Sequence, residues 1–314
     1  MWKIKKPKTK FIYSAISCVN RHLPNDPSSK FQIAWEINPH MKKGAASFSV
    51  AAQEHQRFIT ALKFTGADLH EVPFVRGAYD SVFMKDSAIV KADVTQVRAF
   101  LATFRTNERA TETQTRARAL EKLGVTIQGQ ATTYFEGGDF VDANQDFSFL
   151  GYGFRTDKDV SSELSTFMDK EVIPLEIVDP HFYHLDTALN TITADDNCYV
   201  FAYRHAFSEN SWKLLQSLPS INLIEVSRKE AMLFGLNWVE SDNTIILGSF
   251  VPEIMDHLRM LGKSIVHTPL SQFQLAGGSA ACLVAQVHEV PEFARLYQNV
   301  EAQRKVPAYQ RSLN

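Results

Sequence analysis

One order of secondary-structure elements recurs along the chain at nearly constant spacing. In the first copy, after Asp86, the segments SAIVKAD and VRAFLATF are predicted strands, a helix capped by Asn107 runs to Gly124, and VTIQG is a third strand. The order strand, strand, helix, strand begins again about every 50 residues, which indicates repeated modules. The module starts are Asp86, Glu136, His184, Asn237 and Cys282.

The later modules repeat this order with different sequences. In the second module, the predicted elements are FVDA, FSFLGY, a helix over about 159–170 and VIPLEIV. In the third module, they are LDTALNTIT, CYVFAY, a helix that starts near Ser208 and NLIEV. In the fourth module, WVE and TIILG precede a helix over 252–261, which has Pro252 in its first turn, and SIVHT follows.

The fifth module joins the two ends of the chain. It starts at Cys282 with LVAQV and is completed by FIYSAIS, a helix around VAAQEHQRFITALKF that Gly66 ends, and LHEVPFV. This shared module would close a ring, so residues 1–314 are predicted to form one domain. The alternative is an open α/β sheet with helices on both faces. A ring is favoured because the module starts would then all point toward one axis.

Composition excludes several classes of protein. The 314 residues are 45% hydrophobic with a formal net charge of -2, so no basic surplus indicates nucleic acid, and no apolar run approaches the roughly 20 residues of a membrane helix. The N-terminal MWKIKKPKTKFIYSAISCV faintly suggests a signal peptide, but serines interrupt its apolar run and we interpret it as a first strand. The three cysteines lack close spacing, which favours a reducing, cytoplasmic compartment; Cys18 and Cys198 are assigned to the core.

Four of the five module starts carry reactive side chains. A thiolate at Cys282 could attack an electrophilic carbon, His184 could carry protons, and the carboxylates of Asp86 and Glu136 could bind a cation. A guanidinium suits this set because it is planar and matches paired carboxylates through bidentate hydrogen bonds. Taken singly, each residue has a plainer interpretation: a buried thiol, a packed histidine, or an acid in a turn.

At these positions the sequence resembles the guanidine-modifying hydrolases and amidinotransferases of the pentein fold. The resemblance implies a five-bladed α/β propeller of ββαβ modules with pseudo-fivefold symmetry. It also implies that Cys282 is the nucleophile and His184 the general acid/base, with Asp86 and Glu136 on the guanidinium. The stretches that carry it are PFVRGAYDSVFMKDSAIV, YFEGGDFV, LGYGFRT, YHLDTAL and GGSAACL.

The resemblance assigns further residues to the substrate. Arg105 and Arg155 match arginines that bind an α-carboxylate, and Asp80 matches a residue at the α-amino end. Asp186 is implied as a second guanidinium ligand and favours unmethylated arginine, whereas the sequence around Asp80 favours methylated arginine. Lys85 and Ala281 depart from the family pattern.

These residues and the resemblance lead to the hypothesis of a cysteine hydrolase that converts arginine or an N-methylated arginine to citrulline through a covalent S-alkylthiouronium intermediate. No cofactor or metal is expected, and the expected partners are a small guanidino substrate and a second copy in a homodimer, with neither nucleic acid nor membrane. Two alternatives are an amidinotransferase and a non-catalytic binding protein of the same fold. The long polar loop over 20–43 is predicted to be a lid, with a plain surface excursion as the alternative.

Overall fold

The computed structural model describes residues 8–18, 26–93 and 96–289, which form an α/β fold. The strands are β1 Lys10–Ser14, β2 Asp68–Val72, β3 Ala88–Ala92, β4 Val97–Leu101, β5 Thr126–Gln130, β6 Phe140–Asp142, β7 Phe147–Tyr152, β8 Glu171–Glu176, β9 Leu189–Ala194, β10 Asn197–Ala202, β11 Ile221–Glu225, β12 Val239–Ser241, β13 Thr244–Leu247, β14 Ser264–His267 and β15 Val284–Glu289. The helices are α1 Phe48–Phe64, α2 Glu112–Lys122, α3 Val160–Met168, α4 Leu185–Ala188, α5 Glu209–Ser217, α6 Arg228–Met232, α7 Pro252–Met260 and α8 Ser271–Gln274.

The strands group into units of three, and every unit has the same pairing. Its first two strands are antiparallel and its last two are parallel, as in β6, β7 and β8. The same pattern holds for β3 to β5, β9 to β11 and β12 to β14. The parallel pair requires a crossover, which α2, α3, α5 or α7 supplies in the respective unit. The predicted order strand, strand, helix, strand is confirmed in all four.

The remaining unit combines the two ends of the described chain. Strand β15 pairs antiparallel with β1, which pairs parallel with β2 across α1, so this unit has the same pattern as the others. Strand β15 also pairs parallel with β3, which merges two units into one six-stranded sheet with the order β2-β1-β15-β3-β4-β5. The prediction that both ends share a module is therefore confirmed.

Two local predictions were wrong. Helix α2 begins at Glu112 after Thr111, because residues 107–111 form turns with short-range bonds such as Ala110 N to Asn107 O; Asn107 is not its cap. The segment LDTALNTIT is not one strand, because its first half is α4, where the Thr187 hydroxyl and amide both bond to the carbonyl of His184. The predicted start of α5 after Ser208 is confirmed: that hydroxyl accepts from Ser211 N.

Short helical turns precede the first strand of four units and bring their side chains together. These turns are the 3-10 segments Met84–Ser87, Gly137–Asp139 and Ala281–Leu283, together with α4. The turn at Met84–Ser87 packs against both other 3-10 turns, and α4 packs against Gly137–Asp139. All four turns contain or directly follow a predicted module start, so they position the candidate catalytic residues.

The hydrophobic core lies around these turns. One cluster joins α1 and β1 to the segment around Cys282, and a larger one runs from β7 through α7. Cys198 is buried as predicted, whereas Cys18 is only half-buried. Within residues 8–18, 26–93 and 96–289, no helix combines the length and the apolar character that crossing a bilayer requires. The signal-peptide question concerns residues that lie partly outside this range.

Candidate active site

The structure brings Asp86, Glu136, His184 and Cys282 together and buries all four side chains. Each is at most 3% exposed. Ligand atoms of Asp86, Glu136 and His184 lie within 4.8 Å of one another. The proximity that the module spacing predicted is therefore present for these three, and the contacts of Cys282 described next place it beside Asp186.

The thiol of Cys282 lies between an amide and a carboxylate. Asn237 Nδ2 donates to Cys282 Sγ at 3.2 Å, and Sγ lies 3.6 Å from Asp186 Oδ2 and 3.9 Å from Asp186 Oδ1. Asn237 Oδ1 also accepts from the backbone amides of Ser279 and Ala281, both at 3.1 Å, so the fourth module start orients the nucleophile segment. Burial, and then the charges of Asp186 and Asp86, raise the pKa of the thiol well above its usual value.

His184 lies between the two carboxylates. Its Nε2 is 3.0 Å from Glu136 Oε2 and its Nδ1 is 3.7 Å from Asp86 Oδ1. Burial lowers the pKa of His184, but the charge of Asp86, the hydrogen bond to Glu136 and the nearby acids outweigh burial and raise that pKa to about 9. The imidazole is therefore cationic at neutral pH and can donate a proton.

Gly138 permits this close arrangement. A Cβ atom there would lie 2.6 Å from His184 Nδ1 and 2.7 Å from Asp86 Oδ1. Side chains larger than hydrogen would separate the histidine from the aspartate, which explains a glycine in the sequence EGGD.

Each of the two carboxylates is also held by an arginine of the chain. Arg155 Nη1 donates to Glu136 Oε2 at 3.2 Å and to Oε1 at 3.3 Å. Arg109 Nη1 donates to Asp86 Oδ2 at 2.5 Å, and its other nitrogens bind Glu112 at 2.8 and 3.0 Å. Burial raises the pKa of Glu136, but Arg155, His184 and Arg109 outweigh burial, so that pKa falls to about 2.

Arg109 and Glu112 were missed by the sequence reasoning. Both are at most 3% exposed, and Arg109 also donates to the backbone carbonyl of Asp80 at 3.3 Å. The only signal in the sequence is an Arg and a Glu three residues apart at the start of α2, a spacing that is typical of ordinary surface ion pairs on helices.

Three of the four predicted substrate-binding residues lie in the site, and the fourth does not. Asp80, Arg155 and Asp186 are buried near the cluster. Arg105 is not brought into this network; its side chain is 37% exposed, pairs with Asp157 and stacks on Tyr134 at 4.3 Å. A role for Arg105 in binding substrate remains a prediction that the contacts neither support nor test.

Asp80 and Asp186 have different partners. Trp35 Nε1 donates to Asp80 Oδ2 at 2.6 Å, and burial raises the pKa of Asp80 to about 6, although Arg109 and Trp35 partly offset the rise. Lys85 Nζ lies 3.0 Å from Asp186 Oδ2. Lys85, a departure from the family pattern, therefore contacts the carboxylate that lies against the thiol.

The described part of the predicted lid, residues 26–43, contacts the site at several points. Arg155 Nη2 donates to the carbonyl of Ile37 at 2.6 Å, and Asn38 Nδ2 donates to the carbonyl of Ala276 at 3.1 Å. The backbone at Gly277, with φ +91°, leaves no room for a Cβ beside Asn38. These contacts place the segment over the nucleophile loop; residues 20–25 of the predicted lid lie outside the described residues.

The cluster of Asp86, Glu136 and His184 has three side chains that a metal ion can use, but its surroundings fit a guanidinium better. The guanidinium groups of Arg109 and Arg155 already contact the two carboxylates. The site is therefore built to contact planar cations.

Comparison with known proteins gives consistent results. A family model described as N,N dimethylarginine dimethylhydrolase, eukaryotic, matches residues 25–289. The N(G),N(G)-dimethylarginine dimethylaminohydrolase of Mycobacterium tuberculosis is 29% identical over 263 residues, which cover 83% of this chain and 84% of that protein.

Arginine dihydrolases of cyanobacteria are also similar. The bifunctional arginine dihydrolase/ornithine cyclodeaminase AgrE of Nostoc sp. is 28% identical over 286 residues, which cover 89% of this chain but only 39% of AgrE. The product-bound N-terminal domain of ArgZ, an arginine dihydrolase from Cyanobacteria, matches with a TM-score of 0.78 at 25% identity and covers 91% of this chain and 100% of that domain. The predicted family resemblance is confirmed. Because the family match extends over residues 25–289, more than half of the sequence, the chain belongs to the N,N dimethylarginine dimethylhydrolase family of guanidino-modifying enzymes, hydrolases that act on carbon–nitrogen bonds of guanidino compounds.

Proposed function

We propose that the chain is a cysteine hydrolase that opens the guanidino group of arginine or of an N-methylated arginine and releases citrulline. The observation that carries the proposal is the burial of Cys282, His184, Glu136 and Asp86 in adjoining turns, with a protonated imidazole between two carboxylates. A buried cationic acid, a thiol and paired carboxylates are the groups that guanidinium hydrolysis requires.

The first half of the reaction forms a covalent intermediate. Cys282 Sγ attacks the guanidinium carbon and forms a C–S bond, while His184 gives its proton to the departing nitrogen and the C–N bond breaks. Ammonia or a methylamine leaves, and an S-alkylthiouronium remains on the sulfur. The cationic substrate opposes the charges of Asp186 and Asp86, which, after burial, raise the pKa of the thiol, so binding favours the thiolate.

The second half of the reaction uses water. His184, now neutral, accepts a proton from the water as its oxygen bonds to the thiouronium carbon. The added hydroxyl then loses its proton to solvent as the carbonyl forms and the C–S bond breaks, so citrulline leaves and the thiolate is restored. The same imidazole thus acts first as acid and then as base.

Substrate binding would require Arg155 to move. In this structure Arg155 occupies both oxygens of Glu136, which the substrate guanidinium would take. We propose that Arg155 turns to the substrate α-carboxylate, with Asp80 at the α-amino end and Arg105 as a second carboxylate partner. The hydrogen bond from Arg155 to Ile37 links this movement to the lid segment.

The proposed architecture is a single catalytic domain in which the five units surround one axis as a five-bladed propeller. It is supported by the identical strand pairing of all five units and by the union of both chain ends through β15 and β1. The active site would lie at one end of that axis, where the short turns meet.

Product analysis tests the proposed function. Purified protein supplied with L-arginine and with mono- and dimethylarginine should release citrulline and an equal amount of ammonia or amine. Cys282→Ser should abolish release, whereas Cys198→Ser, a change to a buried cysteine that contacts the carbonyl of Ala143, should not. Citrulline formation by Cys282→Ser at the parent rate would refute the mechanism.

The same assay separates a second candidate, arginine dihydrolase activity, which the similarity to ArgZ favours. In that reaction a second hydrolysis removes the ureido carbon of citrulline as carbon dioxide and ammonia, so ornithine appears with twice as much ammonia. Ornithine without ammonia, formed only when glycine or lysine is added, would instead indicate an amidinotransferase.

A further inference from the structure

Lys85 contacts the active site through the carboxylate of Asp186. It lies in the turn Met84–Ser87, directly before Asp86, and its Nζ is 3.0 Å from Asp186 Oδ2. Asp186 is fully buried, whereas the Lys85 side chain is 19% exposed. Lys85 and Ala281 line a cavity of about 670 Å³, which also contacts the first strands of the neighbouring units.

The charges around Cys282 are unbalanced without this lysine. Sγ lies 3.6 Å from Asp186 Oδ2, and the charges that most affect its ionisation are those of Asp186, Asp86 and Lys85. Burial, Asp186 and Asp86 raise the pKa of the thiol, and the charge of Lys85 lowers it. A carboxylate beside a buried thiol suppresses its ionisation unless a positive charge opposes it.

The two arginines that contact the carboxylates of the site do not supply that charge at Asp186. Arg109 contacts Asp86 and Glu112, and Arg155 contacts Glu136 and the carbonyl of Ile37. The ion pair with Lys85 therefore provides the compensation for the carboxylate that contacts the sulfur.

We propose that Lys85 is a positioning residue that holds and neutralises Asp186 from the cavity side, and so keeps Cys282 able to ionise as the nucleophile. The inference rests on the proposed function for its meaning, since only a nucleophilic thiol has to ionise. It also bears on substrate recognition: Lys85 occupies Asp186 Oδ2, which leaves Oδ1 to accept a hydrogen bond from a guanidinium nitrogen.

The test measures ionisation of Cys282 directly. The rate of alkylation by iodoacetamide, a neutral probe, is followed as a function of pH, and the same variant with Cys282→Ser supplies the background from the other cysteines. Lys85→Met should slow alkylation at neutral pH by on the order of tenfold and shift the pH profile upward by about one unit. Lys85→Arg should retain the parent profile, because it keeps the charge.

Two further variants make the result decisive. Lys85→Met combined with Asp186→Asn removes both charges. The pH profile of alkylation should then coincide with that of the parent or shift to lower pH. This double variant also avoids an uncompensated buried carboxylate, so it serves if Lys85→Met alone does not fold. Lys170→Met is the matched control, because Lys170 lines the same cavity and pairs with Asp142, and its profile should equal that of the parent.

Each outcome bears on the proposal. A parent-like alkylation profile in Lys85→Met, or a double variant whose alkylation is as slow as that of Lys85→Met, would overturn it. If Lys85→Met does not fold, the other two variants decide. The proposal would be overturned if the alkylation profile of the double variant were shifted to higher pH than that of the parent, or if Lys85→Arg did not keep the parent profile. Alkylation requires no substrate, so absence of citrulline formation would refute the proposed function without deciding the role of Lys85.

Discussion

Replacing Arg109 by methionine should destabilise the protein strongly. Its guanidinium lies between Asp86 and Glu112, which are at most 4% exposed, and donates to Asp86 Oδ2 at 2.5 Å and to Glu112 at 2.8 and 3.0 Å. Removing one partner of a buried ion pair costs about 3–5 kcal/mol because the other charge is left uncompensated. The shift is about 2–4 °C per kcal/mol for chains of 150–250 residues and smaller for this chain of 314 residues, so the midpoint of thermal unfolding should fall by roughly 5–10 °C.

Arg105 provides the matched control, since it lies four residues earlier but pairs with Asp157 at the surface. Arg105→Met should lower stability by less than about 1 kcal/mol, because exposed ion pairs contribute little. Equilibrium urea unfolding of Arg109→Met, Arg105→Met and the parent compares the free energies of unfolding. Equal losses in the two variants, or a loss below about 1 kcal/mol for Arg109→Met, would refute the claim that Arg109 holds the carboxylates in place.

Three further changes test the surroundings of His184. Asp86 and Glu136 raise the pKa of His184 to about 9 against the effect of burial. Protonated His184 should therefore contribute about 3 kcal/mol to the free energy of unfolding. This contribution is fully present below pH 6.5 and is lost as pH rises through 9. The pH dependence of unfolding should therefore flatten over that window in His184→Asn; an unchanged dependence would contradict the assignment. Gly138→Ala should reduce turnover at least tenfold by separating His184 from Asp86, whereas Gly129→Ala, whose Cβ would meet only the Phe100 ring at 3.3 Å, should retain turnover. Burial raises the pKa of Asp139 to about 7, so ionisation there lowers stability as pH rises from about 4 through 7; Asp139→Asn should remove that decline in urea unfolding, and an identical decline would contradict it.

Local sequence patterns and the repeat were sufficient to predict strand positions, the shared module and the meeting of module starts. The strands FSFLGY and CYVFAY lie close to the predicted positions, and β15 pairs with β1 as the shared module required. The proximity of Asp86, Glu136 and His184 also followed from the repeat, because equivalent positions in equivalent modules point in similar directions.

The remaining contacts depend on where long side chains turn, which no local pattern encodes. Arg109 reaches inward because residues 107–111 form turns, whereas a helix capped by Asn107 was predicted there. Lys85 was noticed only as an unusual residue; its pairing with Asp186 joins positions that are far apart in the sequence. Arg155 was predicted to bind the substrate α-carboxylate, which stays a prediction, and its contact with Glu136 depends on the distance between two modules.

The central claim is that Cys282 forms a covalent bond with the guanidinium carbon of the substrate. Intact-mass spectrometry of protein that is acid-quenched during turnover with arginine or a methylarginine tests it most directly. We expect an adduct with the mass of the thiouronium intermediate, mapped to Cys282 by peptide analysis and absent from Cys282→Ser. The claim would be contradicted if Cys282→Ser turned over substrate at the parent rate without forming an adduct. An adduct on another residue would contradict it as well.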